Sequence, residues 1–293
     1  MSKKRSFLIF IFIALLLVTC NKKVEQKEET IIKGTTSVLV DETLTPVIED
    51  QVAVFESYYD AKINLDSQSE VEILKSLFNK KTGIAILTRK LSSQELKIFE
   101  QKKIKPRITP FASDAIAFIR NKNNNDTLIA LKDVIDFMKG MPNLSIKGLV
   151  FDNPNSSTVR FMNDLSAIKV SAQKGIYSFK TNEEVIKFVA QNDGMVGVVG
   201  VNWLSQPSPK MQEYVDKVNV LGVKGITSTH FYTPSQNNIA EGKYPLAAPS
   251  PTHWNSPRRK PSRRSLQPWW RYLDEGSRPS ARLGFCNVPP VSG

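Results

Sequence analysis

Histidine and cysteine are scarce in this chain of 293 residues, with two of each. Two cysteines cannot build a disulfide scaffold or a four-thiolate zinc site. Two histidines, His230 and His253, leave little for histidine-based catalysis or metal binding. There is no internal repeat, no Gly-x-Ser-x-Gly elbow and no metal-ligand cluster, so no cofactor is expected. Gly194, Gly197 and Gly200 lie within a strand pattern and do not form a dinucleotide fingerprint. Hydrophobic residues are 41% and charged residues 23%, a globular balance that excludes fibrous and wholly disordered classes. The length suits one large domain or two lobes.

The one long apolar run, Phe7 to Val18, is too short to span a bilayer comfortably. Behind Lys3, Lys4 and Arg5 it has the pattern of a secretory signal. Leu17-Val18-Thr19-Cys20 resembles the lipobox of bacterial lipoproteins. That resemblance implies a signal over 1–19, removal before Cys20, acylation of Cys20 and export to a membrane surface. Acyl chains would hold a soluble domain there. Residues 20–33 then read as a polar tether.

The other end differs in composition. Residues 248–293 hold 8 of the 17 prolines, 7 of the 12 arginines and 3 of the 4 tryptophans. Their only lysine is Lys260, and they supply half of the net charge of +12. One reading is a basic-aromatic nucleic-acid arm built on Arg258-Arg259-Lys260, Arg263-Arg264 and Trp269-Trp270. The preferred one is an atypical tail, out of frame or chimeric, because lysine gives way to arginine abruptly and no period is visible. An exported lipoprotein would also rarely meet nucleic acid, so none is expected as a partner.

Between these ends the periodicity alternates. Strands are expected at Ser37–Val40, Ile63–Leu65, Gly83–Leu87, Ile104–Thr109, Ala115–Ile119, Leu149–Phe151, Met195–Val201 and Val218–Leu221. Helices are expected over Leu44–Tyr59, Ser69–Phe78, Ser92–Gln101, Leu128–Met138, from Asn155-Ser156-Ser157-Thr158 through Leu165, and over Asn182–Gln191. Such alternation predicts an α/β fold with mixed, mostly parallel sheets, whose ligand sites lie at the carboxyl ends of strands.

Three strand-to-helix junctions carry donors. Ser156, Ser157 and Thr158 open a helix, where free amides and hydroxyls can surround an oxyanion; helix capping alone explains them equally simply. Thr88 and Arg89 follow the Gly83–Leu87 strand, and a guanidinium matches an oxyanion. Thr43 follows the first strand.

The body, roughly Gly34 to Leu246, resembles the phosphate-type substrate-binding proteins of bacterial ABC importers. The resemblance rests on Asp41-Glu42-Thr43-Leu44-Thr45-Pro46, on Pro110-Phe111-Ala112-Ser113-Asp114, on Asn155-Ser156-Ser157-Thr158, on the 193–200 glycine-rich strand with Trp203, and on 234–246. It implies a two-lobed periplasmic-binding-protein architecture of type II. Lobe 1 would span 34–112 and lobe 2 113–220, with 221–247 returning to lobe 1. It also implies capture of inorganic phosphate without catalysis and delivery to an inner-membrane ABC permease, with sulfate or molybdate as alternative ligands and an anion sensor without transport as an alternative role. A hydrolase is disfavoured, because a serine nucleophile at Ser156 or Ser157 would need a base and both histidines lie in or near the C-terminal part. The implied ligand set is Thr43, Thr88, Arg89, Asp152, Ser156, Ser157 and Thr158. Family members carry an arginine where this chain has Asp152 and an aspartate where it has Arg89, so one cation and one acid exchange places. Arg160, one step inside the helix, either reaches the anion or sits on the surface. The closing arginine, strand and helix of the family's first lobe have no counterpart after Ala247.

Overall fold

The computed structural model describes Thr30 and residues 32–79, 83–168 and 174–247. The signal, Cys20, most of the tether and the 248–293 tail lie outside the described residues.

The first lobe is a parallel sheet of three strands in the order β2-β1-β3: β1 (Gly34–Asp41), β2 (Ala61–Gln68) and β3 (Ala85–Ile86). A 3-10 turn at Glu42–Leu44 follows β1, started by Asp41, whose side chain accepts from Thr43 N. It runs into α1 (Thr45–Tyr58), with Pro46 in its first turn, where a missing N–H costs nothing. Helices α2 (Glu70–Phe78) and α3 (Ser93–Gln101) complete the lobe. The Ser92–Glu95 capping box expected from the sequence starts α3. Val38, Val40, Leu44 and Ile48 form a buried cluster on one face of this sheet, and Leu39, Ile73, Leu74 and Phe99 are buried as well.

The second lobe is built on a five-stranded mixed sheet in the order β7-β6-β8-β4-β9. These strands are β4 (Ile116–Asn121), β6 (Gly148–Phe151), β7 (Ile176–Ser178), β8 (Met195–Gly200) and β9 (Val218–Val220). Parallel pairs join β6 to β7 and β8, and β4 runs antiparallel to β8 and β9. Both faces are covered, and the period of two divides the strands between two cores. Ile116, Phe118, Leu149, Phe151, Val196 and Val198 enter one core. Ala117, Ile119, Val150 and Val199 enter the other, against α6 (Asn182–Gln191). Helices α4 (Leu131–Met138) and α5 (Ser157–Ser166) cover the first of these faces.

A small third sheet pairs β5 (Leu128–Ala130) in parallel with β10 (Gly222–Lys224), and β10 antiparallel with β11 (Phe231–Tyr232). Short helices α7 (Asn202–Ser205), α8 (Pro209–Val215) and α9 (Gln236–Ala240) fill the remaining connections.

Three expectations change. Residues 104–113 form no strand; Pro106 and Pro110 interrupt them and most are exposed. The 128–138 segment divides, because Leu128–Ala130 finds a strand partner in Gly222–Lys224 before the helix begins. Residues 221–247 pack on the second lobe instead of rejoining the first, since Leu221, Val223, Tyr244 and Leu246 share a core with Phe118 and Leu149. Tyr244 anchors that return by donating its hydroxyl to Ile116 O at 2.9 Å.

Candidate functional site

The turn after β1 meets the start of α5. Thr43 Oγ1 lies 3.1 Å from Ser157 Oγ and 3.4 Å from Thr158 Oγ1. Ser157 Oγ donates to Asp41 Oδ1 at 3.1 Å. These residues are separated by more than a hundred positions, and all four are buried. Two sequence features make the approach possible. Gly200 ends β8 under the turn, and a Cβ there would lie 2.5 Å from Thr43 Cγ2. Ser156 caps α5 by accepting from Val159 N, so Ser157 and Thr158 present their hydroxyls from its first turn.

A cavity of about 30 Å³ opens at this meeting point, lined by Thr43, Thr88, Asp114, Ser157, Thr158 and Arg160, with Ile116, Phe161 and Leu246 as apolar walls. Thr88 Oγ1 is buried and makes no hydrogen bond among the described residues. The wall therefore carries four hydroxyls, one guanidinium and one carboxyl.

Of the residues expected to bind a ligand, Thr43, Thr88, Ser157 and Thr158 line the cavity. Arg89, Asp152 and Ser156 do not. Arg89 Nε donates to Glu70 at 2.9 Å, and its Nη atoms form a two-pronged pair with Glu95 at 2.8 Å. That pair holds the Glu95 carboxyl down at about 2 and raises Arg89 further above its ordinary value. Asp152 accepts from Ser156 Oγ at 2.6 Å and from Asn182 Nδ2 at 3.2 Å, behind the α5 start. Arg160 and Asp114 line the cavity, and Arg89 and Asp152 do not.

Arg160 Nε donates to Glu70 at 2.9 Å and Nη1 to Asp164 at 3.0 Å; neither pair uses Nη2. Glu70, 2% exposed, thus holds one arginine from each lobe. Trp203 Nε1 donates to Glu42 O at 3.3 Å, and Asn182 binds the Glu42 carboxyl, so further direct contacts join the lobes.

The acids are shifted together. Burial pushes Asp114 up to about 7, and the nearby Asp41 charge adds to the rise. Burial raises Asp41 to about 6 and Asp152 to about 7. Glu42 reaches about 8, through burial and then the Asp152 charge. Asp41 and Asp114 were not anticipated. Position gives the signal for Asp41, the last residue of β1 and two before Thr43; Asp114 is marked only by its place just ahead of a strand buried along its whole length.

Among the described residues, no group of three or more His, Cys, Asp or Glu is placed to hold a metal ion. His230 is exposed and bonded to Thr229, away from the cavity.

With this geometry in view, the comparisons are specific about the fold. Residues 24–275 match the family model of the PBP superfamily domain, and the chain belongs to that family. No curated protein matches the sequence. A structure from Clostridium perfringens, assigned as a phosphate ABC transporter substrate-binding protein and containing bound phosphate, aligns with a TM-score of 0.57 at 18% identity. The alignment covers 73% of this chain and 83% of that one. An ABC-type phosphate transport receptor from Vibrio cholerae aligns with a TM-score of 0.50 at 16% identity, over 72% of this chain and 83% of that one. At these identities the likeness concerns the fold.

Proposed function

We propose that the chain is the capture subunit of an ABC importer, held on the outer side of a bacterial inner membrane by acyl chains on Cys20. In this reading it takes phosphate into the seam between its lobes and passes it to a permease without chemical change. The observation that carries the reading is the meeting of Thr43 with Ser157 and Thr158 around a cavity that Arg160 and Asp114 also line. Hydroxyls and first-turn amides of α5 supply neutral donors, and Arg160 Nη2 supplies a charged one. The phosphate receptors that share the fold support the choice of ligand.

Asp114 supplies selectivity. An ionised carboxyl can only accept, so it favours a ligand oxygen that carries hydrogen. Phosphate keeps hydrogen near neutral pH and sulfate does not. With its carboxyl pushed up to about 7, Asp114 shares one hydrogen with the ligand, whichever of the two brings it.

Titration calorimetry of the chain from residue 21 onward tests this. One phosphate per chain is expected, with Thr43→Val and Ser157→Ala each weakening binding roughly three- to tenfold, the worth of a neutral hydrogen bond. Absence of phosphate heat, or equal heats from phosphate and sulfate at pH 8, would overturn the reading.

A further inference from the structure

A second cavity, of about 270 Å³, lies where the small sheet meets the central one, and it shares no lining residue with the first. Arg120 of β4 forms part of its wall and is only 1% exposed. Its Nη1 donates to Asp126 Oδ2 at 2.9 Å and its Nη2 to Ser145 O at 3.2 Å. Its Nε–H is buried and makes no hydrogen bond among the described residues. A buried charged donor without an acceptor carries a desolvation cost with no return, so a ligand oxygen beside it would be stabilising.

The rest of the wall carries charges of both signs. The Asp126 carboxylate is already engaged, by Arg120 at one oxygen and by Leu128 N at the other. Helix α4 starts here on Ala130, which provides no side-chain cap, so the positive end of the helix faces the cavity rim. Asn143 Oδ1 accepts from Ser145 N, which turns the amide NH2 into the group with hydrogens to offer. Lys224 of β10 lines the opposite side, its ammonium 5.2 Å from the Phe231 ring. Against these donors stands one further carboxylate, Asp133 in the first turn of α4.

We propose that this cavity is a second binding site, for the oxyanion group of a small solute, with Arg120, Lys224 and Asn143 as its donors. The group is a carboxylate or a phosphate, chemistry that Arg reads in either form.

The test uses the full chain carrying Ser157→Ala and Thr158→Ala, which weakens the first cavity. With 15N-arginine labelling, the Arg120 Nε–H signal is identified by its loss in Arg120→Lys, and acetate and inorganic phosphate are titrated separately at constant ionic strength. A saturating shift of that signal is expected with at least one of them, with the midpoint moved severalfold by Lys224→Ala or Asn143→Ala. Both of these side chains line the cavity rim, so the variants should fold. Response to acetate alone identifies a carboxylate ligand; response to phosphate identifies a tetrahedral one. Absence of any shift, or a shift no larger than equal sodium chloride produces, overturns the proposal. Because the signal read belongs to Arg120, which lines only the second cavity, this outcome is distinguishable from phosphate binding in the first.

Discussion

At the scale of residues, Glu70 decides which arginine is available. It is almost fully buried and accepts from Arg89 on one side and Arg160 on the other. Arg89 has Glu95 as well, so all three of its nitrogens are engaged within its own lobe, whereas Arg160 lines the cavity and its pairs with Glu70 and Asp164 use only Nε and Nη1. Arg89→Gln should therefore lower the melting temperature while leaving phosphate affinity within about threefold. Arg160→Gln should weaken phosphate binding about tenfold or more, the worth of a charged hydrogen bond. Calorimetry and thermal melts of the two variants separate the roles; equal losses of affinity would place Arg89 in the site after all. Asp114 makes a second prediction. Its carboxyl, pushed up to about 7, is largely protonated at pH 5.5 and can then donate to an anion without hydrogen. Sulfate should therefore compete with phosphate at pH 5.5 and lose that ability by pH 8.5. In Asp114→Asn competition should become nearly independent of pH, as read by displacement of labelled phosphate. The hydroxyl cluster was legible because a run of three hydroxyl residues at a helix start is a local pattern. Asp114 was not, and Arg160 was left open, because which charged side chain is already neutralised by a partner depends on contacts between distant segments.

At the scale of elements, Gly200 ties the two lobes at the closest point of approach. The 3-10 turn sits directly on the end of β8, with Thr43 Cγ2 2.5 Å and Thr43 O 3.3 Å from where a Cβ would stand. Gly200→Ala has to move the turn, which should cost about 1–3 kcal/mol of stability, as overpacking does. Moving the turn also carries Thr43 away from Ser157, so the melting temperature and phosphate affinity should fall together; loss of stability with unchanged affinity would argue that Thr43 is not a ligand. Strands such as β4 and β8 were readable as apolar runs because both of their faces are buried. The β5–β10 pair was not, because three residues joined to a partner some ninety positions away leave no local period. The 104–109 segment misled for the opposite reason: it has apolar residues, but Pro106 within it and Pro110 after it remove donors, and among the described residues no strand pairs with it.

At the scale of the whole molecule, four carboxyls gathered at one seam set the response to pH. Asp41, Asp114, Asp152 and Glu42 are raised to between about 6 and about 8 in the folded chain. Between the ordinary carboxylate range and those values the folded chain holds protons that the unfolded chain has released, so stability falls as pH rises from about 4 to about 8. Glu95, held down at about 2, acts in the opposite sense and withdraws its contribution as pH falls below its unfolded value. Denaturant unfolding should show greatest stability near pH 4 to 5 and a decline toward pH 8; a rise across that range would contradict the burial of these acids. Saturating phosphate should offset the decline by mass action.

Among the described residues the first lobe buries only eight hydrophobic side chains, Val38, Leu39, Val40, Leu44, Ile48, Ile73, Leu74 and Phe99, and that has a consequence of its own. A lobe with less buried hydrocarbon opens locally at lower free energy than one with more. Because the cavity draws Thr43 and Thr88 from the weaker half and the α5 hydroxyls from the stronger, an occupant acts as a splint, and amide exchange in β1 and β2 becomes a gauge of occupancy while the interior of the five-stranded sheet stays silent.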